Sequence, residues 1–296
     1  MRRRAALARP QRRRAVLASP MRRRPALAGP MRRRAALVIP PLLLAAVVLG
    51  LWEAYVDTGG ADPAVLPAPH EVASAAWSNA DVLWQNFKVT AEEVVLGLAL
   101  ALAVGFATAV AIHFSTWLRR AVYPHAVGSQ AVPIAVIAAP LVFWWGFGLF
   151  PKLVVIALIC FFPVLVTTVD GLAATDPDQL KLLRTLDATR WQAFRFAELP
   201  AALPAALSGA RIALAVGVIG AFIAETSTAT TGPYAGLGRE ITTDLNSLQT
   251  PREYAATTVL FVFAIACFYA LTLAERRLAP WTARGRGARP AVSNDT

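Results

Sequence analysis

An all-α, polytopic membrane protein is the fold class this sequence predicts, on three observations: an apolar composition, six long apolar runs, and cations gathered at alternate ends of those runs. Hydrophobic residues make up 56% and charged residues 16% of the 296 positions, and the mean hydropathy is +0.51, a balance that excludes an ordinary soluble domain. The runs fall at 36–56, 89–113, 122–146, 152–170, 202–224 and 255–274. Each is close to the length that crosses a hydrocarbon core of about 30 Å. They are continuous and rich in Leu, Ala and Val, where a closed β-barrel would show alternating segments of about ten residues, so a helical bundle is predicted.

The first element, residues 1–35, is a basic tail. Residues 1–40 hold four imperfect ten-residue copies of (M/Q)-R-R-R-x-x-L-x-x-P, each closed by a proline and none with an apolar stripe to bury. Such a segment is predicted to be disordered. The tail supplies most of the net charge of +11, and its cations suit an arm resting on anionic lipid. Nucleic-acid binding would call for interleaved aromatics, which are missing, so no nucleic-acid partner is expected. Met1, Met21 and Met31 each open a copy and are alternative starts. The run from Ala36 is too long for a cleaved leader and leads into Trp52-Glu53-Ala54-Tyr55 instead of a small-residue cleavage site, so it is read as a membrane span.

Between the first two spans, Asp57 to Phe87 contains L-P-A-P-H-E-V, Trp77 and Trp84. A short helix starting at Pro69 and an amphipathic piece at the headgroups are predicted. His70 reads as a surface residue, because no second ligand type stands at metal spacing beside it in sequence. Glu92, Glu93 and Glu225 sit near span ends and read as solvated at the interface. Cys160 and Cys267 lie inside spans and read as small buried hydrophobes.

Lys and Arg in short connections mark the cytoplasmic side of a membrane. Of the 29 cations, 24 fall on one side: the tail, Arg119 and Arg120, the four in 176–200, and five near the C-terminus. Lys88, Lys152, Arg239 and Arg252 fall on the other, and Arg211 stands near an inner span end. Both termini, including the tail 281–296, are therefore expected in the cytoplasm of a bacterial cell, around a membrane domain at 36–280.

Enzyme patterns are missing: there is no H-E-x-x-H, no G-x-S-x-G and no G-x-x-x-x-G-K-[ST] loop, and G-P-Y-A-G-L-G-R at 232–239 has the wrong spacing for one. No catalytic residue, metal ligand or resident cofactor is expected. The rivals to an ATP-driven transport subunit are an ATP-independent channel or ion-coupled carrier, the carrier expected to show buried ionisable groups or broken helices in related halves, and a membrane-anchored adaptor that would depend on its basic tail.

The polar island from Asp176 to Pro200 separates two apolar runs. Thr175 or Asp176 caps a helix that opens with Pro177, and Leu180, Leu183 and Leu186 share one face while Gln179, Lys181 and Arg184 are exposed. A break near Asp187 precedes a second short helix capped by Thr189, carrying Trp191 and Phe194, and ended by Pro200, which excludes Leu199 from helical geometry. By periodicity this double helix either docks on its own bundle or receives a soluble partner. Pro133, Pro140 and Pro163 interrupt two membrane runs and leave the carbonyls of Ser129, Val136 and Ile159 without helical donors, either as static kinks or as flexing points. Ser129 and Gln130 beside the first of these suit a hydrated path or contacts across helices.

The island resembles the coupling loop of ABC-importer inner-membrane permeases, whose outline is E-A-A, three residues, G, nine residues, I-x-L-P. Lys181, Leu182 and Leu183 stand at E-A-A, Asp187 at the glycine, Ala197 at the isoleucine, and Leu199 and Pro200 match. Arg184-Thr185-Leu186 and A-T-R-W-x-x-F at 188–194, with Ala188, Arg190, Trp191 and Phe194, resemble the nitrate, sulfonate and taurine branch. The resemblance covers about residues 62–280 and includes G-x-x-x-A-x-x-x-G at 97–105, S-Q-A-V-P at 129–133, W-W-G-F-G-L-F-P-K at 144–152 and F-F-P-V-L-V-T-T-V-D-G-L at 161–172. Permeases for thiamine pyrimidine precursors or riboflavin look most similar. The departures are the acid replaced by Lys181 and the turn glycine by Asp187, a residue that tolerates the left-handed region better than most.

The resemblance implies a six-helix type I permease bundle that pairs with a second copy around a translocation path for a small organic nutrient. It implies a pair of separate ABC ATPase subunits, where ATP and magnesium bind, pushing on the 176–200 loop. It also implies an extracellular solute-binding protein that carries most of the selectivity.

Overall fold

The computed structural model describes residues 30–227 and 235–279, with side chains from Ile39 onward. Most of the tail 1–35 and all of 281–296, where disorder and further cations are expected, lie outside the described residues. The chain divides into two units, Met1–Leu51 and Trp52–Thr296.

In the first unit the described residues form the greater part of one helix, α1 (Pro30–Asp57), whose backbone regularity begins before the predicted run. Leu42, Leu43, Leu44 and Leu51 are all exposed on it, as an apolar span facing lipid requires.

The second unit holds α2 (Pro69–Ser78), α3 (Ala80–Phe114), α4 (Thr116–Ser129), α5 (Ile134–Trp145), α6 (Leu149–Ala173), α7 (Pro177–Thr185), α8 (Arg190–Ala193), α9 (Leu199–Ser227), α10 (Leu237–Asn246) and α11 (Thr250–Leu278). A π-helical turn, Phe194–Glu198, joins α8 to α9. Five helical segments are long and apolar enough to cross a membrane: Ile39–Asp57, Ala80–Phe114, Leu149–Ala173, Arg190–Ser227 and Thr250–Leu278.

The third predicted run, 122–146, is not one straight helix. It is split into α4 and α5, which meet at 104° across residues 130–133. Pro133 has no N–H to continue the ladder and excludes Val132 from the α region, so the turn closes on i→i−3 bonds, with Val132 N donating to the Ser129 carbonyl at 3.2 Å. The Ser129 carbonyl, expected to lack a donor, therefore has one.

The core is built on α6, which packs along α3 on one side and α9 on the other. Val94, Leu98, Ile156, Cys160, Val164 and Leu214 are buried at this junction. Small residues permit the approach: a Cβ added at Gly97 would meet Ile156 Cγ2 at 2.6 Å, and one at Gly105 would meet Val164 Cγ1 at 2.9 Å. The G-x-x-x-A-x-x-x-G stripe is thus the α3 face that receives α6. On α9, Gly217 plays the same part against Cys160 Sγ, where a Cβ would come within 2.8 Å. Cys160 and Cys267 are free thiols, and Cys160 Sγ donates to the Ala213 carbonyl at 3.0 Å.

Candidate functional site

The Asp176–Pro200 island folds as a helical knob for local reasons that were legible in sequence. Asp176 accepts from Asp178 N at 2.9 Å and Pro177 opens α7. Thr189 and Gln192 form a reciprocal capping box at the start of α8, with Thr189 N donating to Gln192 Oε1 at 2.7 Å. Between them Asp187 takes φ +53°, the left-handed turn that glycine would adopt at lower cost.

One expectation about the knob is corrected. Pro200 does not end the second helix: Leu199 is helical, its N–H donates to the Phe194 carbonyl across the π-turn, and the chain runs on into α9. An extra residue per turn gives the proline ring room that a regular α-turn would deny it. The leucine face of α7 and its turn is covered only in part. Leu180 and Leu183 are half-buried, while Leu186 is 69% exposed. Leu182 and Trp191 are also exposed, beside exposed Lys181, Arg184 and Arg190. An apolar patch rimmed by cations remains uncovered at the tip.

The base of the knob is held firmly. Phe194 is buried and packs 5.1 Å from Phe114 and 5.3 Å from Trp191 between ring centroids. The Arg190 guanidinium lies 5.4 Å over the Phe114 ring. His113 Nε2 sits 2.8 Å from Glu198 Oε2, so α3 is joined to the π-turn by a polar contact as well. Ala188 is half-buried.

The second predicted group, Ser129, Gln130, Pro133, Pro140 and Pro163, is brought together in part. Ser129, Gln130, Pro133 and Pro163 line one cavity of about 430 Å³ at the α4–α5 break, together with Phe162 of α6 and Ile219 of α9. Pro140 lies away from it, inside α5.

A third group was missed in sequence. Glu93 is 1% exposed and Glu225 0%, where both were expected to be solvated, and Lys152 is 3% exposed. Lys152 Nζ donates to Glu93 Oε1 at 2.7 Å and to the Ala235 carbonyl at 3.2 Å. Thr90 Oγ1 donates to Glu225 Oε1 at 2.6 Å and accepts from Leu237 N at 2.8 Å. Gly236 N donates to Asn86 Oδ1 at 3.1 Å and Gly238 N to Glu225 Oε2 at 2.5 Å. These bonds clamp the start of α10 onto α3, α6 and α9 at the end opposite the knob. The available signal was Asn86, Thr90 and Glu93, which recur at helical spacing on one face of an otherwise apolar run.

His70 is likewise not alone: it hydrogen-bonds to Glu53, with Asp57 one turn further along α1, and the three ligand-type atoms lie within 4.8 Å of one another. The Glu53 carboxylate, through that bond, holds the imidazole above its ordinary 6.5. Arg211 is paired with Glu275 at 3.1 Å.

Residues 97–284 match the family described as "Binding-protein-dependent transport system inner membrane component". The chain belongs to that family. As a binding-protein-dependent permease, it is 33% identical over 231 residues to a "Probable ABC transporter permease protein" of Haemophilus influenzae, covering 78% of this chain and 93% of the relative. It is 31% identical to the formylaminopyrimidine transport permease protein ThiX of Halalkalibacterium halodurans, covering 81% of this chain and 95% of that one. The riboflavin transport system permease protein RibX of Chloroflexus aurantiacus is 31% identical, with 80% and 88% covered.

The permease fold has solved counterparts in an amino acid ABC transporter (TM-score 0.54, 17% identity, 68% of this chain and 95% of that chain) and in the methionine transporter MetNI (TM-score 0.51, 21% identity, 69% and 95%). The protein is therefore a multi-pass inner-membrane permease subunit of an ABC importer, a transport component and not an enzyme.

Proposed function

We propose that this permease carries a small organic nutrient, a thiamine pyrimidine precursor or similar heterocycle first and a sulfonate, taurine or nitrate next, driven by separate ATPase subunits that dock on the 176–200 knob. The relatives named for formylaminopyrimidine and riboflavin support the substrate class. A taurine permease, TauC of Escherichia coli, stands further off at 29% identity.

The observation that carries the coupling reading is the contrast within the knob. Its tip leaves Leu182, Leu186 and Trp191 bare, while its base is fused to α9 by continuous helix and tied to α3 through Glu198 and His113. A load applied to such a tip reaches two core helices without passing through a loose joint. ATP and magnesium belong to the partner on this reading, and the chain itself holds no cofactor. Coupling requires that the ATPase contact the knob differently in its two nucleotide states. The cation distribution supports a cytoplasmic knob and cytoplasmic termini. An extracellular binding protein and a second permease copy complete the assembly.

Leu186→Asp and Trp191→Ala test it, since both sites are exposed. Each variant is expected in the membrane at normal level but without the ATPase on copurification. Retention of the ATPase by both would remove the knob from the role.

A further inference from the structure

The cavity at the α4–α5 break has a chemistry of its own. Among its described lining residues only Ser129 and Gln130 carry polar side chains; the remainder are aliphatic, proline or phenylalanine. No ionisable group lines it among the described residues. Ser129 Oγ donates to the Ala126 carbonyl at 2.8 Å and keeps its acceptor lone pairs. The Gln130 amide is exposed and has no hydrogen-bonding partner among the described residues, so it offers two donors and one acceptor into the space.

The break itself makes this possible. At 104° the backbone turns at residues 130–133, and the last residues of α4 line the same cavity as Phe162 and Ile219. Non-helical backbone at such depth is tolerated where it borders a cavity. The volume of about 430 Å³ lies in the range of small-molecule sites, roughly 300–1,000 Å³.

We propose that this cavity is a solute-contact site for an uncharged, planar molecule whose edge presents adjacent hydrogen-bond donors and acceptors, such as an amide or aminopyrimidine edge read by Gln130 and Ser129 against the faces of Phe162 and Pro163. An anion would enter apolar walls with no cation among the described lining residues to offset its lost hydration. The permease then contributes to selectivity after the binding protein has released its cargo. The inference rests on the transport reading above.

The test uses the whole transporter, permease with ATPase and binding protein, in sealed vesicles. Two probes are supplied, a radiolabelled hydroxymethyl-aminopyrimidine and radiolabelled taurine, and uptake per ATP hydrolysed is measured. The wild type is expected to move the pyrimidine. Gln130→Leu should lower its uptake per ATP about three- to tenfold, the scale of one hydrogen bond, with Gln130→Asn intermediate; a merely structural role would lower amount or ATP hydrolysis and leave the ratio alone. Transport of taurine alone, or an unaltered ratio for the pyrimidine in both variants, would overturn the site while leaving the permease function intact. If neither probe moves under ATP, the pyrimidine-first substrate reading fails and takes the site with it, while the permease role stands on the family match.

Discussion

Lys152 Nζ lies 2.7 Å from Glu93 Oε1, with neither side chain more than 3% exposed. The two residues come from the first turn of α6 and the second quarter of α3, and each would be costly to bury alone. Glu93→Gln or Lys152→Met strands one charge in the interior and should destabilise the solubilised protein by about 3–5 kcal/mol. Combining the two removes both charges and should recover a large share. Thermal unfolding in detergent reads the cycle; a double variant as weak as the sum of the singles would mean the two do not act as a pair.

Asp187 at φ +53° gives the knob its turn. A non-glycine residue in this region costs about 1 kcal/mol, so Asp187→Gly should slow hydrogen exchange of 180–190 or raise the unfolding temperature slightly. Asp187→Val, which cannot hold the conformation, should loosen the segment. The opposite order of the two would show that the side chain of Asp187, and not its backbone, matters here.

The joint between the end of α1 and α2 should depend on pH through His70. Its imidazole bonds to Glu53 and is held above 6.5, chiefly by that bond and against partial desolvation, with the charges of Glu53, Asp57 and Glu71 adding to it. A raised value in the folded state means the contribution is complete below the unfolded value and fades as pH climbs past the folded one. Exchange protection of residues 52–72 should therefore fall from mildly acidic to alkaline conditions, and His70→Gln should flatten the profile. A profile unchanged in the variant would assign the pH response elsewhere.

What could be read from sequence divides by range. The caps of Asp176 and Thr189 act within three residues, so the knob's helices were legible, and the apolar runs announced their helices by length alone. The size of the α4–α5 break was not, because Pro133 marks an interruption without saying how far the helix bends. Glu93, Lys152 and Glu225 stand on three different helices, and each lone charge near a run's end reads as an interface residue until tertiary packing brings them together. Likewise Glu53 and His70 are 17 residues apart and meet only because the connection folds back.

Arg252 ties the start of α11 to α10: it pairs with Asp244, which is 0% exposed, and with Glu240 at 3.1 Å. Burial, with Asp244 nearby, raises the Glu240 carboxyl above its ordinary range while Arg252 opposes the shift. Arg252→Ala would leave Asp244 without its cation, and a loss of about 3 kcal/mol is expected. Proteolysis near residues 240–250 should accelerate. If Arg252→Ala proved neutral, α10 would be held chiefly at its start, by Glu225 and Thr90.

Pro200 and the π-turn should be tested together. In a regular α-helix the ring of Pro200 would press on the Phe196 carbonyl, and the five-residue turn Phe194–Glu198 widens the ladder just there. Pro200→Ala removes the reason for the widening and lets the segment settle into the α register, which shifts everything upstream by about 100° around the axis. Glu198 would leave His113, and Arg190 would leave the face of Phe114, so the knob would present a different side to a partner. The expected outcome is a permease present in the membrane at normal level with impaired ATP-driven uptake and faster exchange across 190–198. Uptake equal to wild type with the π-register lost would show that the orientation of the knob is set by α7 and its turn, and that the proline answers only to local geometry.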